Sequence, residues 1–176
     1  MNKLLKVIED YPFSEKEIMK LAEGKANLVL YPDLKKYKTI DEVLGRHKAA
    51  ILLYVTQESP DSIFGHWTTI FKIKPNTLEF FDSYGFPPDY QLNFSDLKYP
   101  PYLTRLLEKS KYNIIYNTHI LQDRSNKNMS TCGRHVGLRL QFRQLPIQQY
   151  CKMLESARAI KPTADDIVTL MSAFVK

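Results

Sequence analysis

His66-Trp67-Thr68-Thr69-Ile70-Phe71-Lys72-Ile73, then Lys74-Pro75-Asn76, then Thr77-Leu78-Glu79-Phe80-Phe81-Asp82-Ser83-Tyr84-Gly85 read in succession as strand, turn and strand. Both runs are rich in β-branched and aromatic residues, which suit a pleated, half-buried surface, and a Pro-Asn pair is a strong turn signal. The spacing predicts a hairpin. Parity adds a condition: His66 and Asp82 share a face of that hairpin only if the connection holds an odd number of residues or a bulge shifts the register. A three-residue connection at Lys74-Pro75-Asn76 puts them diagonally opposite, roughly 7–8 Å apart at Cα and within reach of a side-chain hydrogen bond.

Upstream of the hairpin, Ala49-Ala50-Ile51-Leu52-Leu53-Tyr54-Val55 is a continuous apolar run, the pattern of a strand covered on both faces. The polar stretch 57–62 between them reads as a surface loop. Before residue 46, helices are expected over 2–9 and 14–23, the second opened by Ser14 ahead of Glu15 and Glu17 and closed by Gly24. A short apolar run covers 27–31, and a helical turn runs from Thr39 to Gly45. These pieces read as a cap, not a separate domain.

Downstream, a proline-punctuated loop from Gly85 to Pro101 precedes a helix over 102–109 and a strand over 113–121. After Cys132 the apolar residues Val136, Leu138, Leu140, Phe142 and Leu145 alternate as in a strand. On a helix they fall on two opposed faces, as in a helix held between two layers. Ser130 and Thr131 as capping residues favour the helix. Further helices are expected over 147–159 and 163–175, the last with Asp165 and Asp166 in its first turn. The fold expected is α+β in one domain of 176 residues, with a cap over 1–45, a core over 46–145 and helices over 146–176.

The chain carries 25 basic and 19 acidic residues, a net charge of +6, and two cysteines. Two cysteines make no disulfide framework, so free thiols in a reducing compartment are expected. No apolar stretch reaches the roughly 18 residues a membrane helix needs, and the first residues do not read as a secretory leader. The basic residues are scattered. They permit non-specific contact with nucleic acid without requiring it.

A nucleophilic cysteine requires a base, a group that orients the base, and donors for the oxyanion. Cys132 at the start of a helix lies against the positive end of the helix dipole, which favours its thiolate. His66 begins the first hairpin strand beside Trp67, whose ring can shield the imidazole. Asp82 ends the second strand, and Gln122 ends the strand before the cysteine loop. Of the other histidines, His135 lies one helical turn beyond Cys132 but has no carboxylate partner in view, His119 is mid-strand, and His47 lies between Arg46 and Lys48. Cys151, in mid-helix, reads as packing.

In this order the residues resemble the clan of cysteine proteases that contains adenain and the SUMO proteases. Gly65-His66-Trp67, Phe81-Asp82-Ser83-Tyr84-Gly85, Gln122 and Thr131-Cys132-Gly133 carry the resemblance, which spans about residues 45–145. The small size and short cap are more similar to the maturation proteases of adenovirus-like DNA viruses and virophages.

The resemblance implies a papain-like core with permuted connectivity, a central mixed or antiparallel sheet packed by the helix that starts at Cys132. It implies a catalytic set of His66, Asp82, Gln122 and Cys132, with Trp67 and Gly133 lining the substrate. It also implies cleavage after Gly-Gly or Gly-X-Gly sites in capsid or core precursor proteins, within the virion or the cytoplasmic viral factory. No cofactor is implied, while stimulation by DNA or a peptide stays open. Two departures stand out: the gap from Gln122 to Cys132 is long, with Asn126 and Asn128 as alternative oxyanion donors, and Thr131 replaces a common Asp. Other readings are deconjugation of a ubiquitin-like modifier, acetyl transfer by the same Cys, His and Asp, and an idle basic virion or nucleic-acid-binding protein.

Overall fold

The computed structural model describes residues 8, 10–59, 62–123, 130–157 and 163–174. The helix expected over 2–9 therefore lies almost wholly outside the described residues, as do Asn126 and Asn128. Among the described residues, five strands form one mixed sheet in chain order: β1 (Asn27–Leu30), β2 (Ala49–Ser59), β3 (Ser62–Lys74), β4 (Thr77–Phe81) and β5 (Asn113–Tyr116). The three central strands are antiparallel, and each edge strand runs parallel to its neighbour. The first 45 residues therefore contribute an edge strand to the sheet as well as covering it.

The β3–β4 turn holds two residues, Pro75 and Asn76, and not three. Parity is restored elsewhere. Lys72 pairs with Leu78 and Lys74 with Thr77, so Ile73 is an extra residue in β3. This bulge shifts the register by one. Thr69 then faces Phe81, and the next step along the ladder brings Asp82 opposite Thr68 and diagonal to His66.

Helices cover both faces of the sheet. Ala49, Ile51, Leu53 and Val55 of β2 point into one core, and Ala50, Leu52 and Tyr54 into the other. The continuous apolar run of β2 has this cause, since alternate side chains on both faces leave water. The second core is closed by α2 (Ile40–Leu44) and α3 (Tyr102–Glu108). The first holds α1 (Glu15–Leu21), α4 (Cys132–Gln141), α5 (Ile147–Ser156) and α6 (Ala164–Met171).

Helix α4 lies between β3 on one side and α1 and α6 on the other, so every residue from Gly133 to Leu140 is buried. Two opposed apolar faces on one helix are the result. Its far end is clamped to the sheet by Arg139, whose Nε and Nη2 donate to the two carboxylate oxygens of Glu79 on β4 at 2.8 and 2.9 Å. The same guanidinium donates to the carbonyls of Phe142 and Leu145 just past the helix. All of its charge is thereby paired inside the core. Close approach of α1 is permitted by two glycines: a Cβ on Gly133 would stand 2.8 Å from Ile18 Cδ1, and one on Gly137 would stand 2.7 Å from Leu21 Cδ2.

Three expectations are corrected. The stretch 57–62 is not a surface loop: β2 continues to Ser59 and β3 begins at Ser62, extending the central hairpin. The strand expected over 113–121 ends at Tyr116. There Asn117 turns the chain out of the sheet, its amide donating to the Asp82 and His119 carbonyls and its side-chain oxygen accepting from the His119 N–H. Thr131 takes the N-cap position of α4 without capping it. Its hydroxyl is bonded to Asp165 instead.

Candidate active site

Cys132 occupies the first position of α4 and is partly exposed. The first N–H groups of a helix have no partner within it, so those at the start of α4 can serve another acceptor. The Cys132 thiol is hydrogen-bonded to His66, with the backbone N–H groups of Trp67 and Gly133 also directed at the sulfur.

His66 lies on β3 opposite Tyr54 and is buried. Its Nε2 is 2.9 Å from Oδ1 of Asp82, which leaves Nδ1 as the ring nitrogen for the sulfur. The ring is covered by Tyr84, stacked at 4.5 Å between centroids and 13° from parallel. This role was expected of Trp67, which enters the site through its backbone while its indole belongs to the first core. Gly133 likewise contributes its N–H, and its missing side chain is accounted for by the packing of α1.

Asp82 is completely buried, one residue past the end of β4. The Tyr84 N–H donates to Oδ1 at 2.7 Å, closing a tight local turn with Gly85 at φ +75°. Oδ2 accepts from Nε2 of Gln91 at 2.7 Å. Gln91 lies in a short 3-10 helix (Tyr90–Phe94) anchored by Asp89, whose carboxylate accepts from Tyr31, Tyr54 and the Thr104 N–H. Sequence reading missed Gln91. One glutamine in a proline-rich loop gives no sign of which way it points.

These contacts set the charges. Burial opposes protonation of His66, yet the charge and hydrogen bond of Asp82, with a further contribution from Cys132, push its pKa up to about 10. Burial opposes ionisation of Cys132, but the hydrogen bond and charge of His66 and the two N–H groups hold the thiol below its ordinary value. Burial would raise the Asp82 carboxyl; His66, Gln91 and the Tyr84 N–H together bring it below the usual range. Each of these shifts favours a thiolate–imidazolium pair backed by a carboxylate. The other thiol differs: burial in α5 pushes Cys151 up to about 11.

Gln122 is buried against the residue that follows Asp82. Ser83 Oγ donates to Gln122 Oε1 at 2.7 Å, and the Ser83 carbonyl accepts from the N–H groups of Leu121 and Gln122. With its oxygen so engaged, the amide of Gln122 is oriented as a donor through Nε2. His135 does have a carboxylate partner, contrary to expectation: its Nε2 is 3.0 Å from Oδ1 of Asp165 on α6. Both residues are buried, away from the Asp82 pair. His119 is exposed outside any strand, and His47 is partly exposed.

Among the described residues, no helix is long and apolar enough to cross a membrane. No protein-family model matches the sequence. The chain is 38% identical over 178 aligned positions to uncharacterized protein V9 of Sputnik virophage, an alignment that covers 97% of this chain and 99% of the relative. At that identity across nearly the whole of both chains, the protein belongs to the family of virophage protein V9.

Proposed function

We propose that this protein is a cysteine endopeptidase of the adenain-like, papain-like clan, in which Cys132 is the nucleophile, His66 the general base and acid, and Asp82 its orienting carboxylate. The observation that carries this reading is the Cys132–His66–Asp82 chain at the head of α4, with Nε2 of the ring 2.9 Å from Asp82. The thiolate attacks the peptide carbonyl carbon, and the carbonyl electron pair moves to oxygen. That oxyanion takes hydrogen bonds from the Cys132 N–H and the Gln122 amide. Imidazolium His66 passes its proton to the departing amine as the C–N bond breaks, leaving a thioester. Neutral His66 then takes a proton from water, whose oxygen attacks the thioester. Collapse releases a carboxylate product and restores the ion pair.

Substrates of this reading are capsid or core precursor proteins cut after Gly-Gly or Gly-X-Gly sites during virion assembly, with the enzyme in the virion or the viral factory. A virophage relative and the basic net charge support that setting. Peptides carrying such sites, incubated with the wild type and with Cys132→Ala, test it. Cleavage by the wild type alone is expected. Transfer of a labelled acetyl group from acetyl-CoA without peptide cleavage would point to the acyltransferase reading instead.

A further inference from the structure

Gln122 and Cys132 approach the reacting carbon from opposite ends of a long connection, and the two ends share one anchor. Asp165, buried on the first turn of α6, accepts from the Asp123 N–H through Oδ2 at 2.9 Å and is bonded through Oδ1 to the Thr131 hydroxyl. His135, on the second turn of α4, completes the set at 3.0 Å. The carboxylate therefore fixes the residue after Gln122, the residue before Cys132, and the helix that carries the sulfur.

Asp165 makes neither of the usual helix-start interactions itself. The capping box of α6 is made by Thr163 and Asp166, and Thr131 gives up the cap of α4 in order to reach Asp165. A buried carboxylate costs several kcal/mol unless its lone pairs are filled, and here the partners that fill them belong to the segments flanking the proposed oxyanion donors.

We infer that Asp165 is a positioning residue for the oxyanion site, by which the C-terminal helix α6 holds the Gln122 amide and the Cys132 N–H at the spacing the tetrahedral intermediate requires. This rests on the peptidase reading above. His66 and Asp82 are held by β3, β4 and the 3-10 helix, and α4 is also held by its packing on β3 and α1 and by the Arg139–Glu79 pair, so the groups that lower the thiol keep their places without Asp165. Loss of Asp165 therefore separates two properties that a general loss of structure would remove together.

The test uses two probes on the folded full-length chain. Iodoacetamide reports the thiolate. A peptidyl glycinal reports the oxyanion site: the thiolate adds to its carbonyl carbon, and the resulting alkoxide takes the His66 proton to give a hemithioacetal. With Asp165→Ala, glycinal affinity and kcat are expected to fall about 10²-fold, as when one oxyanion donor is lost, with KM within a few-fold and the alkylation rate within twofold of wild type. Asp165→Asn, whose oxygen and amide can still serve Asp123 and Thr131, is expected to recover most of the loss. Thr131→Val removes one leg and is expected to show a smaller loss of the same kind; with Asp165→Asn it decides the matter if Asp165→Ala does not fold. Wild-type glycinal affinity in Asp165→Ala or Thr131→Val, or a parallel loss of alkylation and affinity, would overturn the inference. A wild type that is alkylated but captures no glycinal and cleaves no peptide removes the peptidase reading and the inference with it.

Discussion

Asp82 meets His66 at 2.9 Å because Ile73 is one residue too many for its ladder. Without that bulge a two-residue turn would place the carboxylate on the opposite face of the hairpin from the imidazole. The charge of Asp82 is also what raises His66 to about 10. Asp82→Asn keeps the shape and removes the charge, so the imidazolium loses its main support. The expected result is a fall in kcat/KM of about 10²–10⁴-fold, with the alkaline limb of the pH profile moved to lower pH. Both are read from peptide hydrolysis across pH.

The wild-type profile has a predictable sign. On the proposed mechanism, activity requires Cys132 deprotonated and His66 protonated. It rises as pH passes the lowered thiol pKa and falls as pH passes about 10, where the imidazolium is lost. Iodoacetamide is accordingly expected to label Cys132 at lower pH than an ordinary cysteine. In His66→Ala the labelling is expected to shift to higher pH, since the largest force lowering the thiol is gone. Cys151, buried and raised to about 11, stays unlabelled in both proteins. Mass spectrometry of the modified peptides distinguishes the two sites.

Gln91 supplies the only side-chain amide among the described residues bonded to the Asp82 carboxylate. Gln91→Leu is expected to leave Oδ2 without that donor and to raise the Asp82 carboxyl. A stability loss of about 1–3 kcal/mol follows from an unsatisfied buried acceptor. Activity is expected to fall further at acidic pH than at neutral pH, because protonated Asp82 no longer holds His66 charged. Urea denaturation and the acid limb of the rate profile check the two parts.

Arg139 and Glu79 tie the far end of α4 to β4 in full burial. Arg139→Met leaves a buried carboxylate without its cation and is expected to cost about 3–5 kcal/mol. The double change Arg139→Met with Glu79→Gln is expected to recover a large part. Equilibrium denaturation of the four proteins gives the coupling energy directly.

Helix packing against α4 is similarly tight. A Cβ on Gly137 would meet Cδ2, Cγ and Cβ of Leu21 at 2.7, 2.8 and 2.9 Å, so no rotation of that side chain clears it. Gly137→Ala is expected to destabilise by about 1–3 kcal/mol, and adding Leu21→Ala to relieve part of this by removing Cγ and Cδ2 while the Cβ contact remains. A thermal melt of the single and double variants compares them.

Local chemistry made much of this protein legible in its sequence. The apolar run of β2, the strand–turn–strand of β3 and β4, and the helix behind Cys132 each depend on side-chain periodicity and turn residues close by in the chain. His66, Asp82, Gln122 and Cys132 could be nominated because acyl transfer needs those residue types in accessible places. Tertiary structure decided the rest. The bulge at Ile73, the inward turn of Gln91, the ring of Tyr84 over His66 and the link from Asp165 to Thr131, Asp123 and His135 depend on which segments pack together. No periodicity records such pairings, because a buried polar group takes whichever partner folding brings to it. Asp165 shows the difference plainly: in sequence it is one of two acids opening a helix, and only the packing of that helix against α4 gives its carboxylate something to hold.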